Sequence, residues 1–130
     1  MRPATAAAGA LACAAAAMAA AALATGGAGE DERAAAAPAA ARAGEAVWVA
    51  NGCGSCHTFA PANAHAPIGP DLAVTLQGMP ASYIRDSIVA PSKAAAPGFE
   101  VGVMPDDYAA RIAPAELDAL VDFIRAGVAR

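Results

Sequence analysis

The sequence predicts a small all-α domain in residues 43–130, built of three main helices joined by long loops. Three observations predict it. No segment alternates apolar and polar residues with the period of two that a half-buried strand needs. Two stretches instead carry apolar residues at helical spacing: Ile84 and Ile88 one turn apart, and Leu117, Leu120, Val121 and Ile124 at i, i+3, i+4 and i+7. Between them, proline and glycine punctuate connections that are unusually long for so small a domain, and such loops are usually functional.

The first helix is expected from Ala43 to Asn51, with Val47 and Trp48 on its inner side and Asn51-Gly52 as its stop. Asn63 to Asp71, with two prolines and a glycine, is expected to be loop. A second helix runs from Pro80, a residue suited to a first turn, to Val89, and Pro91 terminates it. Ser92 to Asp107 is again loop, holding Pro97-Gly98 and Met104-Pro105. The last helix runs from Pro114 to Gly127. Glu116 and Asp118 complement its N-terminus, and Arg125 its C-terminus.

The residues before this domain are of a different material. Of 43 alanines in the chain, 24 fall in the first 43 residues. Residues 1–24 have the form of a signal peptide: Arg2 at the start, no charge from Ala4 to Gly29, and small residues at Ala22 and Ala24 before Thr25. The rival is a retained anchor, since Ala4 to Ala24 is long enough as a helix to cross a bilayer, although alanine is only weakly apolar. Cys13 has a short apolar run before it and is taken as a small residue inside the signal rather than a lipidation site. Residues 25–42 are expected to be an Ala/Gly/charged linker without a buried face.

Composition excludes several classes. About 87 residues make one small domain, which usually needs a metal, a disulfide or a cofactor to help hold it together. Six aromatic residues are too few for a large self-sufficient centre. A net charge of −4 leaves no basic patch for nucleic acid.

The stretch that carries chemistry is Cys53-Gly54-Ser55-Cys56-His57. Thiols at i and i+3 followed at once by an imidazole match the pattern for covalent haem attachment. On one turn, two sulfurs can reach the two vinyl carbons on one edge of a porphyrin, and the next imidazole then lies under the iron. Gly52 and Gly54 fit a backbone packed close to the ring. Export is the required context, because haem is attached outside the cytoplasm. Two rivals stand beside this. A thioredoxin-like dithiol would need a strand and a parallel sheet around it. A zinc site drafted from Cys53, Cys56, His57 and His65 lacks a second ligand pair from a separate element.

Candidates for the sixth iron ligand are Met104, Met79 and His65. Met104 stands on a loop 47 residues after His57 and is the preferred ligand. Met79, in a similar Gly-Met-Pro, opens a helix, where packing is the commoner role. His65, eight residues past His57 and flanked by Pro61 and Pro67, can hardly cross to the other face of the ring. It is expected to be an exposed loop histidine.

With these residues in view, residues 44–128 resemble the class I monohaem cytochromes c. Four ordered segments carry the resemblance: GEAVWVANGCGSCH, IGPDL at Ile68–Leu72, VMP at Val103–Pro105, and AELDALVDFI in the last helix. The resemblance implies a fold wrapped around one haem c attached through Cys53 and Cys56, with His57 and Met104 on the iron. It implies that the Pro70 carbonyl accepts from the proximal histidine, and that Trp48 and Phe123 meet where the first and last helices cross. Tyr83, Ile84, Ile88, Phe99 and Val101 would line the pocket. Some bacterial terminal oxidases carry a similar haem domain fused to subunit II. No copper-binding domain is present here, so a free-standing carrier is the closer match.

A His/Met site has no open position, so the expectation is one-electron transfer in an extracytoplasmic, periplasmic respiratory chain rather than catalysis. A haem protein with a labile distal ligand, gas-binding or peroxidase-like, is the alternative, with a zinc or dithiol module behind it. The chain departs from the resemblance in two ways. Ala113 stands where a Ser or Thr N-cap is common. Residues 43–130 hold five Arg/Lys against nine Asp/Glu, so the lysine-rich docking rim of mitochondrial-type cytochromes is missing. The expected partners are redox proteins, a dehydrogenase or reductase as donor and a terminal oxidase as acceptor. They would dock transiently on a monomer through a basic or less acidic face, or through the apolar haem edge.

Overall fold

A computed structural model describes residues 28–129. The proposed signal or anchor, residues 1–24 with Cys13, lies outside the described residues. By its internal contacts the chain divides between Ala36 and Ala37. The first unit contributes only the start of a helix to the described residues, and the second holds every other element.

Helix α1 spans Ala28–Ala50, so it begins well before the expected Ala43 and runs through most of the segment expected to be linker. Alanine has the highest helix propensity and the run from Ala34 to Ala41 is interrupted only by Pro38. Helical spacing of apolar side chains signals a buried face, and this part shows none: Ala36 and Pro38 to Ala40 are exposed. Burial begins at Gly44. A Cβ there would run into the Ala119 carbonyl and the Phe123 side chain, so glycine lets α1 approach the last helix at backbone distance. Val47 and Trp48 are buried as expected. The helix stops where Gly52 takes φ +65° and donates to the Val49 carbonyl at 3.1 Å.

Past the Cys-Gly-Ser-Cys-His turn, Thr58–Phe59 (β1) pairs antiparallel with Ala64–His65 (β2), Phe59 opposite Ala64 and Thr58 opposite His65. This corrects the expectation of a strandless Asn63–Asp71 loop. Two residues are too few to leave an alternating pattern, yet the pairing has a face: Phe59 and Ala64 are buried, whereas His65 is exposed.

Four helices complete the domain, two of them too short to show a period in the sequence. Leu72–Thr75 (α2) is capped by Asp71, whose Oδ1 accepts from the Ala73 amide at 2.9 Å. Ala81–Val89 (α3) has Pro80 at its N-cap and buries Ile84 and Ile88. Tyr108–Arg111 (α4) is a single short turn that buries Tyr108. Pro114–Val128 (α5) buries Leu117, Leu120, Val121, Phe123 and Ile124 along one face. Ala113 can accept nothing through its side chain. Half a capping box forms without it: Glu116 Oε2 accepts from the Ala113 amide at 3.0 Å.

Helix α5 is the centre of the packing, with α2 and α3 against it, and α4 packs on α3. An ion pair between Arg85 and Asp118 ties α3 to α5 at the surface. At the crossing of α1 and α5, Trp48, Phe59 and Phe123 form a three-ring cluster, with centroids 5.3 to 6.3 Å apart and tilted or edge-on. No helix among the described residues is long and apolar enough to cross a membrane.

Candidate cofactor site

After Gly52 the backbone winds into one tight turn: the Cys56 and His57 amides both donate to the Cys53 carbonyl, at 3.3 and 3.1 Å. Both cysteines are free, and they and His57 are half-buried on the same cavity. Of the two glycines, Gly52 lines the cavity and Gly54 does not. Gly52 meets little, and its need is the positive φ; Gly54 packs on Ala64 and the Trp48 indole, where a Cβ would sit 3.2 Å from each. Burial pushes the Cys53 thiol up to about 11, against its own backbone hydrogen bond and the Arg111 guanidinium, which act the other way. It is therefore a neutral thiol at ordinary pH.

His57 is fixed on two sides. Its Nδ1 lies 3.0 Å from the Pro70 carbonyl oxygen. A carbonyl only accepts, so Nδ1 carries the proton and Nε2 of the neutral ring keeps its lone pair. The contact that resemblance implies for Pro70 is thus present. Gly69 completes the clamp. Its amide donates to the Cys56 carbonyl at 2.6 Å, and a Cβ on it would stand 2.7 Å from His57 Cε1 and 2.8 Å from Nδ1. The imidazole lies against bare backbone. Sequence reasoning misses Gly69, although Ile68-Gly69-Pro70 is in view. The signal available is a glycine next to the proline expected to hold the histidine.

The cavity has a volume of about 550 Å³, within the roughly 300–1,000 Å³ usual for cofactor sites. Its walls are apolar: Leu72, Leu76, Ile84, Ile88, Leu120 and Ile124 from the helices, and Pro97, Phe99, Val103 and Met104 from the long loop. Glu100 is the only Asp, Glu, Lys or Arg lining it among the described residues. Thr75 and Ser87 hydroxyls, also on the wall, donate to the backbone carbonyls of Asp71 and Tyr83. Tyr83, Phe99 and Ile68 remain 37 to 58 % exposed around it, an apolar surface that no described residue covers. Of the residues expected to line the pocket, Tyr83, Ile84, Ile88 and Phe99 do so and Val101 does not. Val101 sits between Glu100 and Gly102 in an exposed turn.

Both methionine candidates reach the cavity. Met104 is half-buried and packs against the core, whereas Met79 is 41 % exposed at the start of α3. His65 is exposed, lies 3.4 Å from Asn63 Oδ1, and is not on the cavity. Among the described residues no three His, Cys, Asp or Glu side chains gather as a metal cage, so the zinc set is not assembled. A thiol pair, a lone-pair imidazole and a thioether on one apolar cavity fit a flat apolar macrocycle bearing a metal.

No curated protein and no solved structure matches the chain. The family model for cytochrome c matches residues 41–127. That stretch takes in every residue lining the cavity, from Trp48 to Ile124, and it carries a single Cys-x-x-Cys-His run: the chain belongs to the cytochrome c family, as a monohaem c-type cytochrome.

Proposed function

We propose that this chain is a one-electron carrier in an extracytoplasmic respiratory chain, holding one haem c through Cys53 and Cys56 with His57 and Met104 as iron ligands. Haem-based electron transfer follows from the family. The observation that carries the finer reading is the common cavity: the two thiols, the imidazole held through Nδ1 by the Pro70 carbonyl, and a half-buried thioether all line it. When bound, haem supplies an Fe(III)/Fe(II) couple.

The protein residues do the rest. Pro70 holds the proton on Nδ1, which fixes the tautomer and raises the basicity of the other nitrogen. Gly69 gives the ring its seat. The apolar wall excludes water and disfavours the extra charge of the oxidised state, and Met104 sulfur favours Fe(II); both raise the potential. With His57 and Met104 both holding the iron, no position would be open to a substrate, so the role would be electron transfer rather than catalysis. Its excess of acidic residues suits transient docking of the monomer on a basic or less acidic face of a dehydrogenase or reductase and of a terminal oxidase. The signal-like residues 1–24 support export to the periplasm, with anchoring if they are retained.

The test is an intact mass and visible spectrum of protein matured with a haem-attachment system. One added haem is expected, with removal of residues 1–24 legible in the same mass; the bare polypeptide mass, beside a control cytochrome that matures, overturns the reading. Met104→Ala is then expected to keep the haem, lose the near-infrared sulfur-to-iron band, lower the potential and admit carbon monoxide. An unchanged band moves ligation to Met79. A wild-type protein that binds carbon monoxide readily supports the second reading, a gas-binding or peroxidase-like site, for which the exposure of the loop around Met104 is the favouring observation.

A further inference from the structure

The loop from Ala94 to Pro105 forms one wall of the cavity; of its residues only Gly98 and Val101 do not line it. It is held weakly along its length. Its one internal backbone hydrogen bond is Phe99 amide to Ala96 carbonyl, at 3.0 Å. None of its side chains hydrogen-bonds or forms an ion pair with a described residue. Gly98 and Gly102 take φ +87° and +82°, bending the chain without packing on anything. Apart from Met104, which packs against the core, what restrains it lies at its two ends. Pro91 is buried before it and Tyr108 after it. Between those anchors Ser92 Oγ stands 2.8 and 2.7 Å from the two carboxylate oxygens of Asp106, a hydroxyl proton shared by a charged acceptor.

We infer that the Ser92–Asp106 bond is a staple that closes the loop at its neck and so sets how firmly Met104, two residues inside it, stays on the iron. The inference rests on the reading of Met104 as a ligand. Neither Ser92 nor Asp106 lines the cavity, so they are positioning residues. Joining the two ends shortens the free segment and removes conformations in which the methionine swings out. A charge-assisted hydrogen bond carries this even though both residues are exposed, at reduced strength because water competes.

The experiment uses the haem-loaded full chain as wild type, Ser92→Ala, Asp106→Ala, the double variant and Ser92→Thr. Imidazole is titrated into the oxidised protein, following loss of the near-infrared sulfur-to-iron band, and denaturant unfolding is measured alongside. Each alanine variant is expected to bind imidazole about three- to tenfold more tightly. The double variant should go no further than the stronger single, and Ser92→Thr, which keeps the hydroxyl, should bind as wild type does. Imidazole affinity unchanged in both alanine variants, or effects that simply add in the double, overturns the staple; so does a lower unfolding midpoint with unchanged affinity. Met104→Ala separates the two readings. If it keeps the band, Met104 is not the ligand and both readings fall. If it loses the band while the staple variants bind imidazole normally, the staple alone falls.

Discussion

The segments that bring His57 and Met104 to one cavity are held by opposite means. From Gly52 to Pro70 the chain is tied at every few residues: a hydrogen-bonded turn at the cysteines, the Thr58 hydroxyl on the Ala66 carbonyl at 3.0 Å, the Phe59–Ala64 pair inside the core, and Gly69 and Pro70 on either side of the imidazole. From Ala94 to Pro105 the chain is tied almost only at its ends. Local stability follows the density of such ties. Opening is therefore cheap on the Met104 side and expensive on the His57 side, so if both ligate iron as proposed, Met104 is the one expected to be lost first.

The comparison can be broken most severely at the cysteines. Cys53→Ala with Cys56→Ala is expected to abolish covalent attachment, read as a bare polypeptide mass after maturation, whereas changes to the 94–105 loop should leave attachment intact. Next comes a pair of glycine variants, one on each side. Gly69→Ala pushes a methyl into the His57 ring and is expected to cost about 1–3 kcal/mol and to disturb the haem spectrum. Gly102→Ala meets no atom and suffers only its positive φ, for about 1 kcal/mol and a normal spectrum. Equal spectral damage from both would erase the contrast; unfolding curves and spectra decide it.

The effect of pH sharpens the same contrast. In the haem-free chain, the Cys53 thiol titrates near 11 when folded and near 9.0 when unfolded, so the folded state holds the proton longer. The thiol's contribution to stability is expected to be constant below pH 9 and to fall as pH rises towards 11. Burial raises Tyr108 as well, which acts in the same direction. Thioether formation consumes the thiol and removes its share, so the haem-loaded protein should show the shallower decline in urea midpoints across that window. The smallest effect is expected far from both His57 and Met104. Ala113→Ser supplies the missing acceptor at the start of α5 and should stabilise by about 0.5–1 kcal/mol, with no change in spectrum.

Much of this is visible in the sequence because spacing encodes it. The faces of α3 and α5 repeat at the helical period, and the turn carrying both thiols and the imidazole is a contiguous string. What escapes has no period. The two-residue ladder is shorter than any alternation, α2 and α4 are single turns, and the alanine run of α1 from Ala34 to Ala41 is helical by propensity rather than by a buried face. Gly69 and Gly44 act by lacking a side chain, and only the neighbour that a Cβ would strike reveals them. The resemblance implies the wall for Val101, but it stands exposed beside Gly102, whose positive φ no apolar pattern announces. Met79, a helix-start residue by its sequence, still reaches the cavity, because α3 begins at its rim.

The aromatic cluster at the crossing of α1 and α5 has a consequence for chain connectivity. Trp48 and Phe59 come from the first half of the domain and Phe123 from its last helix, and the backbones meet at Gly44 and Ala119. The exposed Ala94–Pro105 loop separates those parts in sequence and contributes nothing to that nucleus. A nick in the loop would thus leave two fragments that still recognise each other through buried rings, with α3 and α5 adding their own shared surface. The domain is in this sense already split, and the loop is where it can be cut and reassembled.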